Sequence, residues 1–544
     1  MLEEFNPQSI QDIEGARKAF VVLLNVVEEL KQENEAQKEE IQRLRDEVNR
    51  LKGEQGKPRI KASKKSSDHS SEKERRLRKP RPKRQKRRPH SKVEVDREEK
   101  VSVPVEELPE DAQFKGYEPV LVQDLSIKTN NICFLKEKWY SPSEQRTYIA
   151  SLPVGYKGQF GATVRTLVTT LYYAGGMSEP KIIEFVEQMG VNLSKGTVSA
   201  WLSGETDMWQ READEIVVAG LGSSSWQHID DTSTRVDGVN HYCHILCNPF
   251  YTAYATRRRK DRLTVIAVLQ NSEQPVYLYN EQTATWLNTF KVPKWAQRCL
   301  DSWPQGELLN EAQLTSLLAG ELNDRLNQQQ LARIREAGAL TAYYAQDHYP
   351  VIPILVSDDA PQFTHLTQEQ MLCWVHEGRH YKKLMPHVPY HQTILADFRQ
   401  QFWAYYHKLQ AYRADPQPEL VGSLRDEFDS LFSQTTDYEQ LNKRLTQSLA
   451  HKEKLLVVLN HPEVPLHNNP AELGARQRVR KRDVSFGPRS EAGRVAWDSF
   501  MTVAETAKKL GVSFYRYVYD RVAQTYEMPS LANIIRTRGQ PISP

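Results

Sequence analysis

The hydrophobic positions of this chain change period several times, and each change marks an element. From residue 20 to 51 apolar side chains recur every three or four residues. With Phe20 as heptad position a, the a series is Phe20, Val27, Asn34, Ile41 and Val48, and the d series is Leu23, Leu30, Gln37, Leu44 and Leu51. β-Branched residues at a and leucine at d favour a parallel two-stranded coiled coil, and a polar Asn at a sets its register. Residues 1–56 are therefore predicted to be a dimerisation helix, with a homodimer formed through residues 20–51. A helix packed on its own globular domain is the other reading of the same stripe. Residues 57–110 carry too few apolar side chains to bury a core and are predicted to be a disordered arm. Short apolar runs at 120–122 and 132–135 predict a small β-rich module over 111–153.

From Gly161 to Leu202, within a module over 154–220, the period becomes helical. It predicts helices over 163–173, 179–189 and 194–201, with Gly190 in a turn and Ser194 as an N-cap. Helix, short turn, helix is the organisation of helix-turn-helix DNA readers. On that reading Ser194, Lys195, Thr197, Ser199 and Trp201 face a groove; plain helix packing explains the spacing equally well. Beyond 221, runs ending at Asp230-Asp231, over 239–247 and over 251–256 predict three paired strands. A run ending at Asp358-Asp359 predicts another, and residues 371–375 a short last one. Residues 397–450, rich in leucine, aromatics and charge, predict an all-α insertion spanning about 385–462. The fold class is thus α/β over 221–510 with an α-helical insertion, followed by a C-terminal helix and tail at 511–544.

Charge changes this picture in one place. The net charge of +3 averages a basic arm against an acidic body. Between Lys57 and Lys92 there are 17 Lys/Arg and 3 Asp/Glu, a net of +14 that leaves −11 elsewhere. Such an arm, with Arg84, Arg87 and Arg88 at its densest point, predicts a polyanionic partner read through phosphates. No membrane span or signal peptide is visible, and five scattered cysteines suit a reducing cytoplasm. Further basic clusters stand at Arg257, Arg258, Arg259 and Lys260, at 379–383, and at Arg476, Arg480 and Arg482. Each is a solvated face or part of a DNA channel.

The candidate chemistry lies in three acids. Asp230 and Asp358 each end a strand-like run, where a rigid backbone presents a carboxylate at the sheet edge. Glu472 opens a helix announced by Asn468-Asn469-Pro470 and otherwise crowded with cations. A salt-bridged surface helix is the simpler reading of Glu472 and Arg476, which stand four apart. Three carboxylates on strand, strand and helix instead suit two magnesium ions, with manganese as a substitute, in two-metal phosphoryl transfer. Asp231 and Asp359 are adjacent carboxylates, so either could stand in for its neighbour. Cys373 and His376 form a Cys-x-x-His pair beside this region. Two ligands do not make a zinc site, and the pair is expected to be a buried thiol and a hydrogen-bonded histidine. His241, Cys243, His244 and Cys247 are expected to be core packing.

The chain resembles the D-D-E transposases of bacterial insertion sequences, in particular the large TnpC-type family (insertion sequence sixty-six). The segment Asn-Asn-Pro-Ala-Glu-Leu-Gly-Ala-Arg from 468 to 476 is similar to that family's Asn-Asn-x-x-Glu-x-x-x-Arg helix. Phe486-Gly-Pro-Arg-Ser-Glu-Ala-Gly-Arg494 and Ala504-Glu-Thr-Ala-Lys-Lys-Leu-Gly-Val512 are similar to its following segments. The resemblance implies a ribonuclease H-like catalytic domain with Asp230, Asp358 and Glu472 as the metal-holding triad. It also implies DNA ends and target DNA as substrates, helper proteins of the same element, and a bacterial cytoplasmic, nucleoid-associated location. Many members carry a Cys-rich zinc site before the β-rich module. Only Cys133 lies there in this chain, so no zinc is expected. A catalytically silent DNA-binding or regulatory derivative of a transposase is the rival reading.

Overall fold

The computed structural model describes residues 12–51, 95–104, 108–109, 112–125, 127–153, 156–204, 206–347 and 350–539. Most of the basic arm, with Arg84, Arg87 and Arg88, lies outside them.

The heptad stretch is one helix, α1 (Ile13–Leu51). Its outer face, heptad positions b and f, docks on the α-helical insertion of the same chain. Asn25 donates to the Asp437 carbonyl at 2.9 Å and accepts from the Glu439 amide at 3.0 Å. Glu28, only 1% exposed, receives the amides of His387 and Val388 and meets His391 Nδ1 at 3.2 Å. The a/d stripe on the opposite face stays exposed, Phe20 by 67% and Leu51 by 77%. The helix packs on its own chain, but not through its apolar seam.

The β-rich module is a single exposed hairpin, β1 (Lys138–Ser141) with β2 (Arg146–Ile149). The runs at 120–122 and 132–135 form no strands. The predicted helices follow as α2 (Ala162–Tyr173), α3 (Glu179–Glu187) and α4 (Lys195–Ser203). Ser194 caps α4 by accepting from the Thr197 amide. They continue into α5 (Asp207–Leu221) and share one apolar core with the sheet beyond.

That sheet holds β3 (Trp226–Val236), β4 (Val239–Cys247), β5 (Thr252–Arg257), β6 (Ile354–Ser357) and β7 (Glu369–Leu372). The order is β7-β6-β3-β4-β5. β3, β4 and β5 form an antiparallel meander, while β6 and β7 run parallel to β3. The first turn is Asp237-Gly238, both at positive φ (48° and 74°), the two-residue hairpin whose twist suits the strands. Between β5 and β6 lie α6 (Arg262–Leu269), a set of short helices over 283–325, and the long α7 (Gln328–Ala345). The sequence reading expected one helix there. The short helices are pieces too brief to give a clear period, burying only one or two apolar side chains each, such as Leu287, or Leu314 and Leu318.

After β7 the chain turns at once into α8 (Trp374–Lys383), so the last strand stops at Leu372 rather than 375. Cys373 explains the early stop: its sulfur accepts from the His376 amide and caps the helix. The insertion follows as α9 (Pro389–Ala414), α10 (Leu420–Phe432) and α11 (Glu439–Ala450). It has its own core, centred on Trp374, Phe402, Tyr406, Phe428 and Phe432, which reaches the β6–β7 edge.

The chain closes with α12 (Asn469–Ser485), α13 (Glu491–Leu510), α14 (Phe514–Val522) and α15 (Leu531–Arg538). α12 crosses β3 and β4 closely: a Cβ on Gly474 would stand 2.7 Å from Ile245, so only glycine fits. α13 seals the free edge of the sheet. The amides of Thr252, Tyr254 and Thr256, alternate residues of β5, donate to Thr506 Oγ1, Thr502 Oγ1 and Asp498 Oδ2. Four residues of helix rise about 6 Å and two residues of strand about 6.7 Å, so a four-residue spacing on the helix matches every second strand residue. An edge that would template another strand is thereby satisfied internally. Among the described residues no helix is long and apolar enough to cross a membrane.

Candidate active site

Asp230, Asp358 and Glu472, far apart in sequence, line one cleft of about 260 Å³ together with Cys373, His376, Arg379, Asn468 and Arg476. Each arrives by a different element. Asp230 lies midway along β3, paired with Ile245 of β4. Asp358 follows the last residue of β6, one strand over, and Glu472 sits in the first turn of α12. The parallel pairing of β6 with β3, Val356 opposite His228, brings the first two carboxylates side by side where β6 ends.

Asn468 brings the third. It was expected to cap α12 with its side chain, but that side chain makes no cap bond. Its Nδ2 donates to the Ile229 carbonyl at 2.6 Å, which leaves Oδ1 to accept from His228 Nδ1 at 2.9 Å. His228 is fully buried, and burial pushes its pKa well down, so it is neutral and donates from Nδ1. The Asn468 amide in turn donates to Cys373 Sγ at 3.2 Å. One side chain thus clamps the start of the Glu472 helix to the strand residue next to Asp230. Nothing in the sequence pattern announces this role, because the partners lie about 240 residues away.

The electrostatics are those of carboxylates crowded without enough cation. Burial raises the Asp230 pKa to about 7, with Asp358 and Glu472 adding repulsion and the Asp231 amide opposing it. Asp358 is also raised, chiefly by burial. Glu472 is held by Arg379 of α8 in a two-pronged pair at 2.8 and 2.9 Å. The expected partner Arg476 stands at 4.0 Å. A helix surface pair is therefore secondary to a bridge between α12 and α8.

The neighbouring carboxylates face elsewhere. Asp231 points to the other side of β3, toward Lys260 at 3.7 Å and Gln362 Nε2 at 3.0 Å. Asp359 meets His380 Nε2 at 3.2 Å, and that bond holds its carboxyl well below the usual range. Neither lines the cleft. Cys373 is buried, as expected, and His376 lines the cleft beside Asp358. His241, Cys243, His244 and Cys247 are all buried in the sheet, consistent with core packing.

The basic clusters divide by depth. Arg258, Arg259, Lys260, Arg476 and Arg480 are exposed, as is Lys195 on α4. Arg257 is turned inward, bonded to the Ser272 carbonyl and paired with Glu273 at 3.3 Å, so it is a packing residue rather than a free cation. Arg482 is half-buried and donates to the Ser233 carbonyl. Within the same helix Arg478 and Lys481 are buried: Arg478 pairs with Asp498 at 3.3 Å, and Lys481 donates to the Tyr172 carbonyl at 2.6 Å. Of the proposed groove-facing residues on α4, Trp201 instead packs edge-on against Phe160.

Comparison with known proteins places these elements in context. Residues 330–496, which include Asp358 and Glu472, match the family model described as "Transposase IS66 family". The chain is also 32% identical over 306 residues to an uncharacterized protein, y4jO, of Sinorhizobium fredii (strain NBRC 101917 / NGR234). That match covers 56% of this chain and 94% of the relative.

Proposed function

We propose, on the premise that this chain belongs to the IS66 transposase family, that it is a D-D-E DNA transposase. In this reading it cuts element ends and joins the freed 3′-hydroxyl to target DNA. The observation that carries the reading is the convergence of Asp230, Asp358 and Glu472 on one cleft. The strand order β7-β6-β3-β4-β5, with an antiparallel meander followed by two parallel strands, supports a ribonuclease H-like catalytic domain. In the same reading residues 154–220 choose element ends and the basic arm adds salt-sensitive affinity.

An all-oxygen donor set of desolvated, mutually repelling carboxylates fits hard divalent cations such as magnesium or manganese. When bound, two such ions would activate the attacking oxygen and stabilise the leaving one. The chain's own groups do the rest. Arg379 neutralises Glu472 in the free protein and, once that carboxylate has another partner, is placed to meet a phosphate. Arg476, exposed at the cleft mouth, adds a second phosphate contact. Asn468 and His228 keep Glu472 registered on β3. The exposed a/d stripe of α1 supports a parallel homodimer through residues 20–51, leaving the opposite face docked on the insertion.

Cleavage of end-containing DNA in magnesium, compared between wild type and Glu472→Gln, tests the reading. Metal-dependent cleavage that disappears in the variant is expected. An unaffected variant removes Glu472 from the triad. A wild type that binds end DNA but never cuts it favours the silent DNA-binding protein.

A further inference from the structure

Beside the acid cleft stands a second group of donors with different chemistry. Asp359, His376 and His380 each present a ligand atom, and these atoms all lie within 4.8 Å of one another. His376 and His380 are four apart on α8, hence on one face of the helix, with ring centroids 5.2 Å apart. Asp359 reaches His380 Nε2 at 3.2 Å and His376 Nε2 at 3.9 Å from the loop after β6. All three side chains are about a quarter exposed, which leaves a way in and room for a water.

The helix here spells His376-Glu377-Gly378-Arg379-His380, the H-E-x-x-H spacing by which helix-borne zinc hydrolases place two imidazoles on one ion. In those enzymes the glutamate faces the metal-bound water as a base. Glu377 does not. It is 3% exposed and turned into the insertion, where Arg444 and Ser448 of α11 hold it. Arg379 is likewise directed away, onto Glu472. Cys373 takes no part, its sulfur being engaged by the amides of His376 and Asn468. The ion-holding half of the motif is kept and the hydrolytic half is committed to packing.

We propose that Asp359, His376 and His380 bind a single Zn²⁺, separate from the hard cations of the carboxylate cleft. Two imidazoles and one carboxylate suit zinc, with water completing a four-coordinate shell; the all-oxygen cleft does not share that preference. The shell keeps one open, water-filled position, and the role the fold gives the ion is to hold elements together. It ties α8, the helix that leads into the insertion, to the loop that carries Asp358, and it fixes His376 in the cleft wall. It confers no peptidase activity, because the basic glutamate is missing from its shell. The site stands or falls independently of the phosphoryl-transfer reading, since its readout is metal content.

The test uses the untagged full chain, loaded with zinc, dialysed against excess magnesium and measured for retained zinc by atomic emission. Wild type is expected to keep one zinc per chain. His380→Gln, which keeps the side chain's polarity, removes a direct ligand and is expected to bind zinc more weakly by more than the roughly tenfold that losing an outer-shell partner costs, with the far-ultraviolet circular dichroism of wild type. Cobalt substitution supplies a second readout: wild type shows the visible absorption of low-coordinate Co²⁺, and Asp359→Asn loses it. Glu472→Gln retains zinc like wild type. A wild type without zinc after dialysis, or a His380→Gln chain that keeps it, overturns the site. Zinc lost from Glu472→Gln and kept by His380→Gln places the ion in the carboxylate cleft and overturns it equally.

Discussion

Asp230 and Asp498 are both acids buried against the same sheet, yet their surroundings are opposite. Asp498 on α13 receives the Thr256 amide and hydroxyl, each at 2.7 Å, and faces Arg478 at 3.3 Å and Arg494 at 3.4 Å. Its charge is fully matched. Asp230 receives one short-range amide, from Asp231 at 2.8 Å, and faces two further carboxylates across the cleft. One arrangement spends a buried carboxylate on holding a helix to a sheet edge. The other leaves it in want of positive charge, which is the condition for recruiting a cation. Burial alone does not set the electrostatic balance of an acid; its partners do.

The comparison is broken most severely by exchanging the expected phenotypes. Asp358→Asn is expected to lower metal-dependent DNA cleavage by about a thousandfold or more while the protein stays folded, because residues that act as a catalytic unit fail together. Cleavage assays beside a thermal melt check this, and a variant that cuts normally removes Asp358 from the triad. Next in size is Asp498→Ala, which strands Arg478 in the core. It is expected to cost about 3–5 kcal/mol of stability, read by urea unfolding, with cleavage per folded molecule retained.

Asp230 sharpens the contrast through pH. Its pKa is raised to about 7 in the fold, above the ordinary carboxylate value. The unfolded chain therefore releases this proton near pH 4 and the native protein near pH 7. The contribution to stability is full below pH 4, declines between those values and is gone above 7. Metal-free Asp230→Asn is expected to escape that loss and to be more stable than wild type at pH 8, by on the order of 2 kcal/mol. Added magnesium should narrow the gap by stabilising wild type alone. Equal melts of the two proteins at pH 8 would dissolve the distinction between the two acids.

The smallest effects concern the cations of α12. Arg476→Ala and Arg480→Ala are each expected to leave stability within about 0.5 kcal/mol. Each is also expected to reduce the salt dependence of DNA binding by about one unit of slope. Salt titrations of DNA affinity measure this, and an unchanged slope would make both residues plain solvated surface.

Much of this architecture was legible in the chain. The heptads marked α1, the Ser194 cap marked α4, and the aromatic-leucine stretch marked the insertion, because periodicity and capping are local properties. The sequence placed Asp358 at its strand end and Glu472 in the first turn of its helix, but Asp230, expected to end a strand, stands midway along β3, which runs on to Val236. The short helices over 283–325 were not legible, being too brief to show a period. The run Arg476 to Arg482 looked uniformly basic, yet helical geometry turns Arg478 and Lys481 into the core and leaves Arg476 and Arg480 outside. Lys481, with its pKa pushed down to about 6 by burial, is the clearest case of a charge whose role a sequence does not disclose.

The sequence by itself determined the long helices and the main strands of the sheet, and which residue types were available for metal chemistry. These follow from backbone preferences and from the spacing of apolar side chains over a few turns. Only the tertiary structure decided between Asp230 and Asp231, and between Asp358 and Asp359, as residues lining the cleft. It alone turned Asn468 from a helix cap into a clamp, sealed β5 with Thr502, Thr506 and Asp498, and set the outer face of α1 on the insertion. The physical reason is common to all of these. Each depends on which polar groups meet across a hundred residues or more, and a buried polar group takes its function from the partners the fold supplies.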